Sequence, residues 1–304
     1  MHFYRHRVYN LRVVLKKNMR FRENNAFMQT VLISILTMCC LANLHAQNCN
    51  SGLLEAHIYN SSIKGPDKKK MYVYLPSDYH TSEKYYPVVY FLHGANGNER
   101  SWIEYGHILS TIDSLTTLRE IPECIYVFPN TNKYYHELDY IGSRPKNSLE
   151  SFLSLNGSAE HSFIHDIMKY VDSQLRTLPY MEKRAIAGLS LGGLQTLYIS
   201  ANCAGTFGYI GLFSPIIYPP SYIGGYSFMY NNLEKKLDTL FAFSPALYMI
   251  MIGEDDPFFK SAYYYSNMLH EHNHDHIFTQ TKGGHTWSNW SEYSIAFLKS
   301  LWHN

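Results

Sequence analysis

The sequence predicts an α/β fold with a largely parallel central sheet and helices on both of its faces. Short apolar runs that are typical of strands alternate with segments of helical period, which is the rhythm of β-α-β units. Several of these runs are apolar almost throughout, as expected of strands that helices cover on both sides. The predicted strands are Met71–Leu75, Pro87–Leu92, Cys124–Phe128, Arg184–Ala187, Tyr209–Phe213, Leu247–Ile252 and Ile277–Thr281.

The clearest predicted helix runs from His161 to Leu178, because its apolar residues recur at helical spacing. We expect this apolar stripe to pack on the sheet and Pro179 to end the helix. The stripe consists of Phe163, Ile164, Ile167, Met168, Val171 and Leu175. Further helices are predicted at His107–Arg119, Leu191–Asn202, Ser261–Glu271 and Ser291–Trp302.

Length and composition favour one large folded domain without a strong charge. The chain has 304 residues, of which 46% are hydrophobic, and α/β chains of this length commonly fold around a single core. Its 26 basic and 25 acidic residues leave a formal net charge of +1. So small a charge creates no broad field for nucleic acid or an anionic membrane, and we expect neither as a partner.

Residues 1–46 are predicted to be a signal peptide preceded by extra leader sequence. Basic residues precede an apolar run at Val31–Ala42, which is too short to cross a bilayer core of about 30 Å as a helix. The small residue Ala46 predicts cleavage directly after it, and Met19 and Met28 are alternative start sites. An uncleaved membrane anchor is the alternative interpretation.

The mature chain, residues 47–304, is predicted to be a single domain in the periplasm or outside the cell. It contains three cysteines, which match no metal or redox spacing, and three cysteines can form at most one disulfide. A free buried thiol is equally consistent with the sequence. The pairing stays open among Cys49, Cys124 and Cys203.

The strongest functional signal is the segment Gly188-Leu189-Ser190-Leu191-Gly192-Gly193, which has the pattern G-x-S-x-G. It directly follows a predicted strand and opens a helical segment. A tight turn between strand and helix needs these glycines because neighbouring backbone approaches closely, and it exposes the serine hydroxyl at the sheet edge. The pattern therefore predicts an α/β-hydrolase catalytic domain with Ser190 as its nucleophile.

A serine hydroxyl is a weak nucleophile and needs a base, which an acid must orient. In α/β-hydrolases the chain order is serine, acid, histidine. The predicted base is His285, because it follows a strand through the flexible pair Gly283-Gly284. Either Asp255 or Asp256 is the predicted acid, and periodicity does not choose between them. The other carboxylate is expected to cap the turn before Pro257.

Acyl transfer also needs two backbone N–H groups that point at the developing oxyanion. One is predicted at Leu191, directly after the nucleophile. The second is predicted at Ala95, in the loop His93-Gly94-Ala95-Asn96-Gly97. We interpret His93 as a structural hydrogen-bonding residue rather than a base, because it precedes the tip of this loop.

Four histidines at alternate positions raise the question of a metal site. They lie on a polar connection between a predicted helix and strand, at His270, His272, His274 and His276. Alternate histidines can converge on a metal, but no separate set of ligands accompanies them. We therefore favour a solvated loop, and we expect no catalytic metal and no cofactor.

Two long segments, Pro129–Gly157 and Ser214–Asn232, are rich in turn formers and in tyrosine. Both follow a predicted strand, at the carboxyl edge where open α/β sheets bind ligands. We expect them to wall the substrate pocket.

Four segments in the same order resemble the putative-esterase family of α/β-hydrolases. They are Tyr72–Pro76, Tyr86–Gly94, Arg184–Gly193 and Gly283–Trp287. This family groups feruloyl esterases, S-formylglutathione hydrolases and mycolyl transferases, and the resemblance extends from about Ser51 to the end. It implies that Ser190, His285 and Asp256 form the catalytic triad, and this alone prefers Asp256 over Asp255.

The ending Gly-Gly-His-Thr-Trp-Ser-Asn-Trp is closer to secreted feruloyl or acyl-carbohydrate esterases than to the cytosolic thioester hydrolase. The resemblance thus implies a secreted serine carboxylesterase that forms an acyl-enzyme on Ser190 and releases ferulate-type or other acyl groups from plant polysaccharide. Trp287 and Trp290 either line an aromatic acyl pocket or pack the last helix, and Trp287 is the candidate substrate-binding residue.

Two alternative functions stay open. A general short-chain acyl esterase or an acyl transferase would use the same three side chains. A catalytically silent, carbohydrate-binding surface protein would keep only the fold, and the presence of serine, aspartate and histidine together argues against it.

Overall fold

The computed structural model of this protein describes residues 51–62, 68–131, 162–217 and 232–302. The described residues all belong to one compact unit, residues 51–304. The predicted signal peptide lies outside the described residues. The division of the chain into signal peptide and catalytic domain therefore stays a prediction.

The described residues form one eight-stranded, mostly parallel sheet. Its strand order is β1-β2-β4-β3-β5-β6-β7-β8, in which β2 runs antiparallel to β1 and β4 and every other neighbouring pair is parallel. The strands are β1 (Leu53–Asn60), β2 (Lys68–Leu75), β3 (Val88–Leu92), β4 (Ile125–Pro129), β5 (Arg184–Leu189), β6 (Tyr209–Phe213), β7 (Leu247–Gly253) and β8 (Ile277–Thr281).

All seven predicted strands are present, with bounds that differ by at most three residues at an end. Strands β3, β4 and β7 are buried at every position, which explains their continuous apolar sequence. Strand β1 has no counterpart among the predictions. It lies at the sheet edge and is mostly exposed, so polar residues such as Glu55 and His57 interrupt its apolar pattern.

Seven α-helices occur in the part of the chain that the structure describes. They are α1 (Ser101–Glu104), α2 (Ile108–Thr117), α3 (Lys169–Gln174), α4 (Leu191–Asn202), α5 (Leu233–Ala242), α6 (Phe259–Glu271) and α7 (Trp287–Lys299). A π-helical turn at Phe163–Met168 leads into α3. Helices α1 and α5 were not predicted, and α7 begins four residues before its predicted start because Thr286 caps it.

Helix α3 ends before its predicted end, Leu178. The N–H of Leu178 donates to the carbonyl of Tyr86, and the N–H of Tyr86 donates to the carbonyl of Arg176, both at 2.9 Å. This short parallel bridge holds the chain in an extended conformation after the helix. The prediction that Pro179 ends the helix is therefore wrong, because a contact with a distant segment ends it earlier.

Helices cover both faces of the sheet, as predicted. Alternate residues of β3 belong to two separate buried clusters, with Tyr90 in one and Phe91 in the other. Helices α3, α4, α5 and α6 contribute to the cluster of Tyr90, and α1, α2 and α7 contribute to the cluster of Phe91. The apolar stripe that leads through α3 packs into the first cluster, which confirms that prediction.

Two of the three cysteines of the predicted mature chain are described, Cys124 and Cys203. Cys124 is buried, Cys203 is half-buried, and the two do not form a disulfide with each other. Burial raises the pKa of the Cys124 thiol far above its usual value, which makes this thiol unreactive. Cys49 lies outside the described residues. Among the described helices, none is long and apolar enough to span a membrane.

The packing of α7 on the sheet gives a direct test of the fold. Leu298 is 1% exposed in the cluster of Phe91, whereas Leu118 is 66% exposed. We expect Leu298→Ala to lower the free energy of unfolding by about 2–5 kcal/mol, because it leaves a cavity in the core. Leu118→Ala should change it by less than about 0.5 kcal/mol in the same urea titration. Equal effects of the two substitutions would contradict the packing described.

Candidate active site

Ser190 lies at a sharp turn between β5 and α4, at the carboxyl edge of the sheet. Its backbone has φ 56° and ψ −116°, a conformation that residues with a side chain rarely adopt. Such strain costs about 1–3 kcal/mol and persists only where neighbours enforce it. The N–H of Ser190 donates to the carbonyl of Phe213 at 2.8 Å, and its carbonyl accepts from Ile216 at 3.1 Å. Both bonds hold the turn against the end of β6.

Two glycines of the motif occupy positions that have no room for a side chain. A Cβ atom at Gly188 would collide with the backbone of Gly192. A Cβ atom at Gly192 would lie 2.5 Å from the carbonyl oxygen of His93, in the loop after β3. The spacing G-x-S-x-G thus reflects the close approach of β5, α4 and this loop around the serine.

Ser190, His285 and Asp256 form a continuous hydrogen-bonded chain although they are far apart in sequence. The Oγ of Ser190 lies 2.9 Å from Nε2 of His285, and Nδ1 of His285 lies 2.8 Å from Oδ2 of Asp256. Because the carboxylate only accepts, Nδ1 carries the proton and Nε2 is the acceptor for the serine hydroxyl. The three residues follow β5, β8 and β7, whose carboxyl ends meet at this edge of the sheet.

Asp256, not Asp255, faces His285. The side chain of Asp256 is 0% exposed, whereas Asp255 is exposed to solvent. The Oδ1 of Asp256 also accepts the backbone N–H of Phe258 at 2.9 Å, so it closes the turn around Pro257. The expectation that the other carboxylate caps this turn is therefore wrong, since Asp256 has one oxygen for each task.

The carboxyl of Asp256 is held in its charged form. Burial alone would raise its pKa, but hydrogen bonds from His285 and from the N–H of Phe258 lower it below the usual value, as do the charge of His285 and the nearby hydroxyl of Ser214. The carboxylate therefore stays ionised at neutral pH, where it fixes the tautomer of the imidazole and stabilises its protonated form.

The loops that carry Asp256 and His285 are joined through their backbones. The N–H of Asp255 donates to the carbonyl of Gly283 at 3.0 Å, just beyond the paired ends of β7 and β8. Gly283 itself has φ 87°, a left-handed conformation that favours glycine. The carboxylate and the imidazole are thus held in register by the sheet and not only by their own hydrogen bond.

Of the two predicted oxyanion donors, one directly follows the serine and the other belongs to a turn next to it. Leu191 is the first residue of α4, where a backbone N–H has no acceptor within the helix. Ala95 is exposed in a turn that the N–H of Gly97 closes by donating to Gly94 at 3.1 Å. A Cβ at Gly94 would lie 3.3 Å from Cβ of Ser190, so this turn borders the nucleophile. Neither donor N–H is taken up by a described residue.

His93 is buried directly behind this turn. Burial lowers its pKa to about 4, so the ring is neutral at pH 7. Its Nδ1 lies 2.8 Å from the carbonyl oxygen of Gly94, and its Nε2 accepts the N–H of Thr131 at 3.1 Å. His93 therefore joins the turn after β3 to the segment after β4, as the structural interpretation of this residue expects.

Aromatic side chains surround one side of the base. The buried ring of Trp290 lies edge-on to His285, with 4.9 Å between centroids. The half-buried ring of Trp287 lies 5.2 Å from Trp290, 5.5 Å from Trp102 and 5.7 Å from Tyr105. Tyr105 is 54% exposed. Trp290 thus packs behind the base, while Trp287 and Tyr105 form an aromatic surface that solvent reaches.

Three aromatic residues of this site were not predicted. Trp102 and Tyr105 lie on or next to the four-residue helix α1, which is too short for a periodic signal. Phe258 lies 5.3 Å from His285 by ring centroids and belongs to the turn after Asp256. Only their nearness in sequence to the oxyanion turn and to the acid could have suggested a role.

Other predicted features lie elsewhere. Residues 132–157 and 218–231, the greater parts of the two segments expected to wall the pocket, are outside the described residues. The alternate histidines precede β8, which runs parallel to β5 through β6 and β7. They are therefore at the amino edge of the sheet, opposite Ser190.

Comparison with known proteins places the chain in a family. The family model described as Putative esterase matches residues 62–268. An endo-1,4-beta-xylanase/feruloyl esterase of Xylanibacter ruminicola is 32% identical over 157 residues, which cover 50% of this chain and 20% of that protein. An esterase of Mycobacterium tuberculosis is 30% identical over 135 residues, 44% of this chain and 26% of that protein. The matches thus span about a fifth to a quarter of these relatives.

Solved structures share the fold. A ferulic acid esterase of Anaeromyces mucronatus superposes with a TM-score of 0.65 at 25% identity, over 83% of this chain and 91% of that one. An S-formylglutathione hydrolase of Staphylococcus aureus superposes with a TM-score of 0.60 at 16% identity, over 82% and 99%. The predicted α/β-hydrolase fold is confirmed. Because its model matches more than half of the sequence, the chain belongs to the Putative esterase family, and three of the relatives named here are named as esterases.

Proposed function

We propose that this protein is a secreted serine carboxylesterase that works through an acyl-enzyme on Ser190. The observation that carries the proposal is the hydrogen-bonded chain from Asp256 through His285 to Ser190, beside two backbone N–H groups that no described residue accepts from. A nucleophile, a base, an orienting acid and an oxyanion site are the complete requirement for acyl transfer. The predicted signal peptide at residues 1–46 supports export to the periplasm or beyond.

The geometry supports a two-step reaction. In the first step the Oγ of Ser190 attacks the ester carbonyl while Nε2 of His285 takes its proton, and the backbone N–H groups of Leu191 and Ala95 stabilise the oxyanion. The imidazolium then gives this proton to the oxygen of the leaving alcohol. The ester C–O bond breaks, the alcohol departs, and the acyl group stays bound to Ser190. In the second step a water molecule attacks the acyl carbonyl by the same route, so the carboxylic acid departs and the hydroxyl is restored. Asp256 stays ionised throughout.

We further propose that the acyl group is of the ferulate type and is attached to plant polysaccharide. The relative from Xylanibacter ruminicola is named a feruloyl esterase, and the Anaeromyces mucronatus enzyme has been solved in complex with ferulic acid. The exposed aromatic surface of Trp287 and Tyr105 next to the base suits a phenolic ring, because offset or edge contacts between rings contribute about 0.5–1.5 kcal/mol each.

The second candidate is a general short-chain acyl esterase or acyl transferase. The S-formylglutathione hydrolase of Staphylococcus aureus, which shares the fold, is named for a formyl group, which is much smaller than a feruloyl group. A catalytically silent binding protein would not need the hydrogen-bonded side chains of Ser190, His285 and Asp256. We propose no cofactor for any of these reactions, since the residues at the site supply every proton transfer.

Exchanging each of two adjacent carboxylates for its amide tests the acid. Asp256→Asn should lower kcat by about 10⁴-fold with little change in KM, because an amide favours the wrong imidazole tautomer. Asp255→Asn, the matched control, should keep nearly full activity, since that side chain faces solvent. Steady-state hydrolysis of an aryl ester measures kcat and KM for both variants. Equal losses of kcat, or a larger loss for Asp255→Asn, would show that Asp256 is not the catalytic acid.

Substrate preference separates the two candidate functions. We expect kcat/KM for methyl ferulate to exceed that for a simple butyrate ester, and Trp287→Ala to raise the KM for ferulate by about 2–10-fold without affecting butyrate. Trp302→Ala is a matched control, because Trp302 packs on Tyr209 at the other end of α7. Efficient butyrate cleavage without ferulate cleavage would favour the general esterase while leaving the triad intact.

A further inference from the structure

A group of metal-ligating side chains lies at the sheet edge opposite the active site. Asp238 on α5 meets His272 and His274 in the connection between α6 and β8. We propose that these three residues bind a divalent zinc ion that has no part in ester hydrolysis. From sequence this segment favours a solvated loop, because the histidines lack an accompanying ligand set. The fold supplies the missing ligand from α5, more than thirty residues earlier in the chain.

The distances between the ligand atoms suit a tetrahedral ion. One atom from each residue lies within 4.8 Å of the other two. The Oδ1 of Asp238 is 3.0 Å from Nε2 of His274 and 3.5 Å from Nδ1 of His272. With zinc bonds of about 2.0–2.2 Å, two ligands of a tetrahedron are separated by about 3.3–3.6 Å. Small side-chain shifts would therefore place an ion among all three atoms, and water would complete the site.

The backbone of the connection is ordered around the two histidines. The N–H of His272 donates to the carbonyl of Met268 at 3.1 Å, and the N–H of His274 donates to Leu269 at 2.9 Å. Between them Asn273 has φ 56°, a left-handed conformation that turns the chain tightly after α6. The two imidazoles reach the same side of this turn, with 5.7 Å between ring centroids.

Helix α5 positions the proposed ligand Asp238 and also Phe241, whose ring packs on the second proposed ligand, His274. Phe241 stacks on His274 with 4.3 Å between centroids and 6° between planes, and it lies one helical turn after Asp238. Leu237 and Leu240 are buried in the core, which holds α5 in place. His274 is only 9% exposed, so its ring has little freedom left to lose when it binds a metal.

The donor set and its exposure favour zinc over harder cations. Two imidazoles and one carboxylate are typical zinc ligands, whereas Ca²⁺ and Mg²⁺ prefer oxygen alone. The side chains of Asp238 and His272 are 56% and 35% exposed, so an ion can enter from solvent and keep a water ligand. His276 does not take part, because its two ring nitrogens contact Ser266 and the carbonyl of His274.

Zinc binding to the EDTA-treated full mature protein tests the proposal. Isothermal titration with ZnCl₂ should show one site that is lost in His272→Ala and Asp238→Asn, both with exposed side chains that tolerate change. The apparent Kd should rise by at least about 100-fold, since even supporting residues around a metal change affinity by up to that factor. His270→Ala is the matched control and should bind zinc as the unaltered protein does.

Thermal unfolding and turnover supply independent readouts. Zinc at 100 times its Kd should raise Tm by about 5 °C or more in the unaltered protein and not in His272→Ala. Ester hydrolysis should proceed at the same rate with EDTA and with one equivalent of zinc. Equal zinc binding by the unaltered protein and both ligand variants, or no binding at micromolar zinc, would overturn the site. Activity that requires zinc would overturn its separation from the reaction.

Discussion

The close approach of three backbone segments around Ser190 is the constraint on which the active site depends. Strand β5 ends where α4 and the loop after β3 leave no space for a Cβ atom at Gly188 or Gly192. This contact enforces the strained backbone of Ser190 and brings the turn of Ala95 beside it. The backbone strain at Ser190 and the position of the proposed oxyanion site therefore both follow from this close packing. The carboxyl ends of the neighbouring strands then deliver the base and the acid to the same place without further distortion.

In the described part of the chain, the candidate active site and the proposed metal site lie at opposite edges of the sheet. At its carboxyl edge, the loops after β5, β7 and β8 meet, and their residues are joined through both side chains and backbone. At its amino edge, the connection before β8 meets α5 and assembles the proposed metal ligands. Because strand β8 separates the two sites along its length, an ion at one edge can stabilise the fold while the other edge carries out the reaction.

Much of this architecture could be predicted from sequence, and the failures have physical reasons. Strands β3, β4 and β7 are buried at every position and have continuous apolar sequence, so the sequence predicts them, whereas the mostly exposed edge strand β1 was not predicted. The bridge to Tyr86 that ends α3, and the meeting of Asp238 with His274, join residues far apart in sequence, and no local pattern records them. Asp255 and Asp256 are adjacent, so the periodicity of the sequence does not choose between them, and the preference for Asp256 came from the family resemblance before the turn geometry showed that it faces the base.

The central claim is that the hydroxyl of Ser190 is a nucleophile activated by His285, and covalent labelling tests it most directly. A fluorophosphonate ester should add one phosphonyl group per chain, which peptide mass spectrometry should locate on Ser190. The label should be absent from Ser190→Ala, with kcat lowered by about 10⁶-fold. Ser200→Ala should keep both label and activity, because that buried hydroxyl only donates to a helix carbonyl. A label on another residue, or undiminished hydrolysis by Ser190→Ala, would contradict this account.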